Sequence, residues 1–381
     1  MKIVGIIAEF NPMHKGHKYL IEKAKEITGA DTAICIMSGN FTQAGNVALV
    51  DKFKRAKTAL ENGIDVVIEL PTIYATASAE YFSYGAVSML ENLGCVDYIC
   101  FGSETGDTRE LIQIAYTLIQ NEESIWDKTT SYLKEGLSFA AARQQAIAEF
   151  LTEDEIITIT SSNNILAIEY IKALVKLKSN IQPIAIKRDE NISATHIREL
   201  IQQRKLDEAK YLMLDGYEKA KFAKNEDIMQ MLSHYLVTSK KEDIEAIRDV
   251  TEGLENTLKA NSNIYDYHEF IQETKSKRYQ LSKIKRIAIN SLLNITKEMH
   301  ERLYDKAYYA HILGINKYKK GDLLSLLNKQ SKIPVLASIN DNIIDSLSEE
   351  NKESIKLDIK ATNIHNIITK EEQGKDYTNR L

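Results

Sequence analysis

The chain is predicted to be an α/β protein. An open parallel β-sheet with helices on both faces is expected over residues 1–211, followed by a mainly α-helical domain over residues 212–381. Three observations predict this. Short β-branched runs recur through the first half, stretches with apolar residues three and four apart separate them, and after Leu212 the strand signal fades while helical spacing persists. Strands alternating with helices fold as right-handed βαβ units, which build such a sheet.

Taken in order, strands are expected at Lys2 to Ala8, Thr32 to Met37, Asp65 to Leu70, Tyr98 to Phe101 and Pro183 to Ile186. Helical spacing lies between them at Tyr19-Leu20-Ala24, Phe53-Ala56-Leu60 and Phe82-Ala86-Met89-Leu90-Leu93. Thr108 to Phe150 carries no strand signal and reads as two helices inserted before the last strand. In the second half, Ile228-Leu232-Tyr235-Leu236 and Ile284-Ile287-Leu292-Leu293 keep helical spacing. Gly253, Asn261-Ser262-Asn263 and Gly321 mark loops, and one more strand is expected at Ile333 to Ala337. The polar closing segment, Glu371 to Leu381, is expected to fray.

Composition sets limits on function. With 44% hydrophobic and 27% charged residues, wholesale disorder is excluded. A net charge of -5 excludes a globally basic nucleic-acid binder, so any polyanion site must be a local patch. Cys35, Cys95 and Cys100 lack CxxC spacing, which argues against a zinc ribbon or a disulfide framework; Cys35 and Cys100 sit in apolar runs as small core residues. The N-terminal apolar run reaches Glu9 before a signal-peptide core forms, and no stretch approaches the ~20 apolar residues of a membrane span. A cytoplasmic protein with no membrane partner is expected.

In a parallel sheet, ligands bind beyond the carboxyl ends of the strands. The chemistry should therefore lie in Glu9 to His17, Ser38 to Gly45, Pro71 to Thr76, Gly102 to Gly106 and Lys187 to Thr195. The first of these holds N-P-M-H-K-G-H, Asn11 to His17, between a strand and a helix. Gly16 lets the backbone approach a ligand, and the free amides and dipole of the helix start favour an anion. His14 and His17 can then donate to phosphate oxygens whose charge grows in a transition state, with Lys18 as a nearby point charge. A histidine pair can also bind metal, but no third ligand is evident and no metal ligand is assigned.

The HxGH after the first strand, together with I-S-A-T-H-I-R (Ile192 to Arg198) after the last, resembles the two signatures of the HIGH nucleotidyltransferase superfamily. The resemblance implies a Rossmann-like nucleotidyltransferase sheet. It narrows with G-I-I-A-E-F-N-P-M-H-K-G-H, M-S-G-N-F, D-K-F-K-R-A-K-T-A-L, D-V-V-I-E-L-P, A-E-Y-F, F-G-S-E, N-N-I-L-A-I-E-Y, E-G-L-E-N and K-S-K-R-Y in succession. Together these resemble the bacterial tRNA(Met) cytidine acetate ligase family over nearly the whole chain. That family activates acetate with ATP to acetyl-adenylate, then acetylates the wobble cytidine of elongator tRNA(Met). Mg²⁺ is expected with the ATP, and no protein partner is indicated.

Carried onto this chain, the resemblance implies catalytic roles for His14 and His17. It implies ATP contacts at Ile7, Ala8, Glu9, Phe10, Asn11, Pro12, Gly16, Lys18 and Leu20, and further on at Gly102, Asn163, Lys187, Arg188, Ser193 and Arg198. Gly102 lets a base or ribose approach the backbone, or is a simple turn glycine. Asn163 offers donor and acceptor, or caps a helix. Arg188 can fork two phosphate oxygens, or is a surface charge. Ser193 or Thr195 would cap a helix whose Arg198 faces the phosphate tail. One departure stands out: Gln43-Ala44-Gly45-Asn46-Val47 occupies the place of an expected Q-R-G-E-P, so any contact that loop makes with substrate is lost or supplied elsewhere.

For the RNA, Lys275, Lys277, Arg278, Lys283, Lys285 and Arg286 crowd one segment with Tyr279 among them. On a single helix, Lys275, Arg278, Ser282 and Lys285 share a face that could track a phosphate backbone. Tyr308, Tyr309 and Tyr318 either stack a base or pack the core, and the core is favoured. No Ser-His-Asp or Cys-His arrangement is placed to form an acyl-enzyme. Two other readings remain open: a small-metabolite adenylyltransferase, which has no use for the helical extension, and a non-catalytic nucleotide- or RNA-binding protein, suggested by the altered loop.

Overall fold

The structure, a computed structural model, describes residues 1–188, 192–217, 220–251, 253–276 and 279–379. Its centre is a seven-stranded sheet in the order β5-β4-β1-β2-β3-β6-β7. All five expected strands are present: β1 (Ile3–Ala8), β2 (Thr32–Ser38), β3 (Val66–Leu70), β4 (Tyr98–Ser103) and β5 (Gln182–Lys187). They pair in parallel. β2 and β3 are buried along their whole length, as strands covered on both faces by helices must be. From β1 the chain winds outward through β2 to β3, then returns to β4 on the other side of β1. The crevice between β1 and β4 is thus the topological switch point, where such sheets bind ligands.

The second half is mostly helical but completes this sheet. β6 (Ala310–Ile315), fully buried, joins antiparallel to β3 with Val66 opposite Ile315 and Ile68 opposite Ile312. β7 is confined to Val335–Leu336, inside the expected run. β6 escapes a reading by periodicity, because a short continuous apolar run fits a buried helix segment as well as a strand.

Three further expectations are corrected. The segment from Thr108 to Phe150 forms three helices, Thr108–Gln120, Glu122–Lys134 and Phe139–Ala148. Gly136 at φ +93 and the Ser138 cap separate the last two. Tyr308 and Tyr309 are core residues as favoured, whereas Tyr318 is 85% exposed with Lys317 over its ring.

Over its described residues, 371–379, the closing segment packs against the protein instead of fraying. Residues Lys375–Thr378 form a helical turn that buries Asp376. Lys54 pairs with Glu371 at 3.0 Å, and the Lys52 ammonium meets Asp376 at 2.6 Å and Glu69 at 2.7 Å. Glu69 in turn bonds His311 of β6 at 2.8 Å. Glu69, His311 and Asp376 are close enough to share a metal ion. The Lys52 ammonium already supplies a cation to both carboxylates, so the cluster reads as an ion-pair network.

Candidate active site

At the carboxyl end of β1 the chain turns through Glu9 to His14 into the helix Lys15–Thr28. A buried guanidinium fixes the turn: Arg55, on the helix Lys52–Glu61, donates to the carbonyls of Glu9 at 2.6 Å, Ser38 at 3.0 Å and Val50 at 2.9 Å, and also to that of Gly39. Asn11 Oδ1 accepts the Leu49 amide at 2.7 Å. The ends of β1 and β2 are thereby held as one frame.

The two motif histidines cap the helix reciprocally. His14 Nδ1 accepts the Gly16 amide at 3.1 Å, and the His14 amide donates to His17 Nδ1 at 3.2 Å. Their rings stack with centroids 3.8 Å apart. A Cβ at Gly16 would lie 3.1 Å from the His14 ring, so a side chain there would crowd the cap. An Nδ1 that accepts carries no proton, which places the proton of each neutral ring on Nε2. Burial, and then the charges of Arg188 and Arg198, push His14 down to about 4. Burial, His14 and Arg188 hold His17 well below its ordinary range. Neither Nε2 has a hydrogen-bond partner among the described residues. Two neutral N–H donors are therefore presented to the cleft.

That cleft has a volume of about 430 Å³ and opens over the β1–β4 crevice. From the first turn Ile7, Ala8, Glu9, Phe10 and Asn11 line it, with His14, Gly16, His17 and Leu20 of the cap and helix. Gly102, Asn163, Lys187, Arg188, Ser193 and Arg198 line the facing side. Two expected residues stand apart: Pro12 is buried and Lys18 is exposed, and neither lines the cleft.

Gly102 lies within β4, where a Cβ would come 2.9 Å from Arg188 Cγ; glycine leaves room for that side chain to cross the strand. Asn163 follows the actual cap, Ser161, and its Nδ2 donates to Glu104 Oε1 at 2.5 Å while Ser161 Oγ donates to Oε2 at 2.7 Å. Burial pushes the Glu104 carboxyl up, but these bonds and the Arg188 charge outweigh it and hold it low. Ser193, not Thr195, caps the helix Ala194–Gln202, accepting the His196 amide at 3.1 Å. Arg198 donates to Asn11 O at 2.6 Å and to Thr195 Oγ1 at 3.0 Å. Glu9 Oε1 accepts the Gln43 amide at 2.7 Å, yet burial raises its pKa despite that bond and the charges of Arg198 and Arg55.

Gln43 and Ala44, within the expected segment Ser38 to Gly45, line the cleft together with Asn46 just beyond it; the apolar wall formed by Phe82, Phe101, Leu166 and Tyr170 was not expected from the sequence. The wall residues have helical or strand spacing indistinguishable from core.

The basic segment does not form one helical stripe. The helix Tyr267–Thr274 ends at Lys275, which is extended and exposed, and a new helix begins at Leu281. Arg286 is buried against Asp249 at 3.2 Å. Lys283 donates to Thr251 Oγ1 at 3.2 Å and lies over the Tyr279 ring. Lys285 is half-buried against Gly45. Lys277 and Arg278 lie outside the described residues.

The family model of the HIGH nucleotidyl transferases matches residues 1–380. A tRNA(Met) cytidine acetate ligase of Clostridium perfringens is 39% identical, with 97% of this chain and 96% of that protein covered. One from Thermoanaerobacter sp. is 38% identical, with 100% and 99% covered. The crystal structure of Thermotoga maritima TmcAL bound with alpha-thio ATP is similar at a TM-score of 0.92 and 31% identity, covering 100% of this chain and 99% of that one. With likeness running the length of the chain and a cleft built from both signatures, the chain is an enzyme that belongs to the tRNA(Met) cytidine acetate ligase family of HIGH nucleotidyl transferases.

Proposed function

We propose that the protein joins acetate to ATP as acetyl-adenylate, with release of pyrophosphate, and passes the acetyl group to the wobble cytidine of elongator tRNA(Met). The observation that carries this is the pair of neutral Nε2–H donors of His14 and His17, facing the same cleft as Arg188 and Arg198. In-line attack of an acetate oxygen on the α-phosphorus needs little covalent help from a protein. It needs the growing charge on the phosphates to be met by fixed donors and cations. Neutral imidazoles held by backbone amides do this without reorganising. Mg²⁺ enters with the ATP as part of the substrate.

The wall of Phe82, Phe101, Leu166 and Tyr170 suits a flat base or the acetyl methyl group. In the second step the cytidine amine attacks the acyl carbon directly, AMP leaves, and no acyl-enzyme forms. Residues 1–211 hold ATP and acetate, while the later part contributes to holding the tRNA and braces the sheet. A tRNA substrate places this work in the cytoplasm.

The test is incorporation of labelled acetate into transcribed tRNA(Met) in the presence of ATP. Label is expected only when the wobble position is cytidine. Turnover of a nucleotide or phosphopantetheine in place of acetate favours a metabolite adenylyltransferase. Tight tRNA binding with no turnover of any acid favours a binding protein.

A further inference from the structure

Beside the loop that edges the cleft stands a half-buried lysine, Lys285, with no ion-pair partner among the described residues. The helix Leu281–Leu293 packs its first turns on the loop through Gly45: a Cβ there would lie 2.7 Å from Lys285 Cβ and 2.4 Å from the Arg286 amide nitrogen. Ala44 and Asn46, on either side of Gly45, both line the cleft. Asn225 pins the same loop, donating to Asn46 Oδ1 and accepting the Val47 amide, each at 2.9 Å. The stem of Lys285 is therefore fixed beside the cleft.

Arg198 lines the cleft, and its charge reaches Lys285. Among the described residues neither side chain has a carboxylate within ion-pair distance. The carboxylate acting on Lys285 is Glu226, already bonded to His268 at 2.5 Å. Of the carboxylates acting on Arg198, Glu9 is held by the Gln43 amide. Burial and the Arg198 charge both push the Lys285 ammonium toward its neutral form. Two half-buried cations whose charges reach each other repel, and an anion between them removes that cost.

We propose that a phosphate group binds at this rim, between Lys285 and Arg198, and joins the nucleotide cleft to the later part of the chain. The proposal rests on the reading of the protein as an ATP-using, tRNA-acetylating ligase. Arg198 supplies a fork of donors and Lys285 a point charge. Two sources offer the same chemistry: the triphosphate of ATP, or a backbone phosphate beside the target cytidine.

Lys285→Ala and Lys285→Arg are to be compared with wild type after thermal melts confirm their folding. Acetate-dependent exchange of labelled pyrophosphate into ATP, without tRNA, reads the first source. Acetyl transfer at varied tRNA and salt reads the second. Lys285→Ala should raise KM at least about tenfold for one of the two substrates with kcat little changed, and Lys285→Arg should restore most of it. A tRNA contact should also lower the salt slope of tRNA binding by about one. Unchanged KM for both substrates in a folded Lys285→Ala protein overturns the proposal. Should wild type show no acetate-dependent exchange, the functional reading fails on its own. Titration with inorganic triphosphate and with tRNA(Met) then decides the site, which stands if Lys285→Ala weakens either and falls if it weakens neither.

Discussion

The Lys52 ammonium and the Asp376 carboxylate meet at 2.6 Å with neither side chain exposed. This contact ties the end of the chain to the helix whose Arg55 frames the cleft. Burial alone would push Lys52 down, but Asp376 and Glu69 outweigh it and hold it charged. Removing one member of a buried pair strands the other, at a cost of about 3–5 kcal/mol. Lys52→Met should lower stability to urea by that order, and truncation before residue 371 should follow it. A loss below about 1 kcal/mol in both would show that the tail is dispensable.

Replacing either motif histidine by alanine should reduce kcat for adenylate formation about 10²–10³-fold, the usual loss for one donor aimed at developing charge. Because both rings are neutral and His14 is pushed down to about 4, activity should show no histidine limb between pH 6 and 7 and should fall only toward about pH 4. An acidic limb near 6.5 that disappears in His14→Ala would contradict this assignment.

His365 gives the stability counterpart. Its Nε2 lies 2.8 Å from Ala48 O, and burial is the main cause that pushes it down to about 4. Unfolded, it titrates near 6.5, so between these values the unfolded chain binds a proton that the folded chain refuses. Its contribution is complete above about pH 6.5 and is lost as pH falls through about 4, amounting to at most about 3 kcal/mol. Melting temperature against pH should fall over that window, and His365→Gln should flatten the fall.

Two glycines should behave differently. At Gly45, φ is +75 and an added Cβ would meet the backbone of Lys285 and Arg286, so Gly45→Ala should cost roughly 1–3 kcal/mol and displace the helix it touches. At Gly102 the obstacle is the flexible Arg188 side chain, so Gly102→Ala should leave stability within about 1 kcal/mol while raising KM for ATP. Denaturation and exchange kinetics on the two variants separate the effects.

What was legible in the sequence is what depends on local pattern. β1 to β5 follow from apolar runs between helical stretches, and the cleft follows from a glycine and two histidines in the first turn. What was not legible depends on distant partners. β6 is a strand because β3 offers it an edge, and Asp376 is buried because Lys52 waits for it. Charge spacing from Lys275 to Arg286 suggested one exposed face, but the chain leaves its helix at Lys275 and Arg286 finds Asp249. Phe82 and Tyr170 line the cleft with the same spacing that core residues have.

The most direct single measurement is exchange of labelled pyrophosphate into ATP by the purified protein without tRNA, with and without acetate, for wild type and His14→Ala. Exchange that requires acetate and drops at least about 10²-fold in His14→Ala is the predicted result. Exchange that proceeds equally without acetate, or at full rate in His14→Ala, would contradict acetate activation by donors at this helix start.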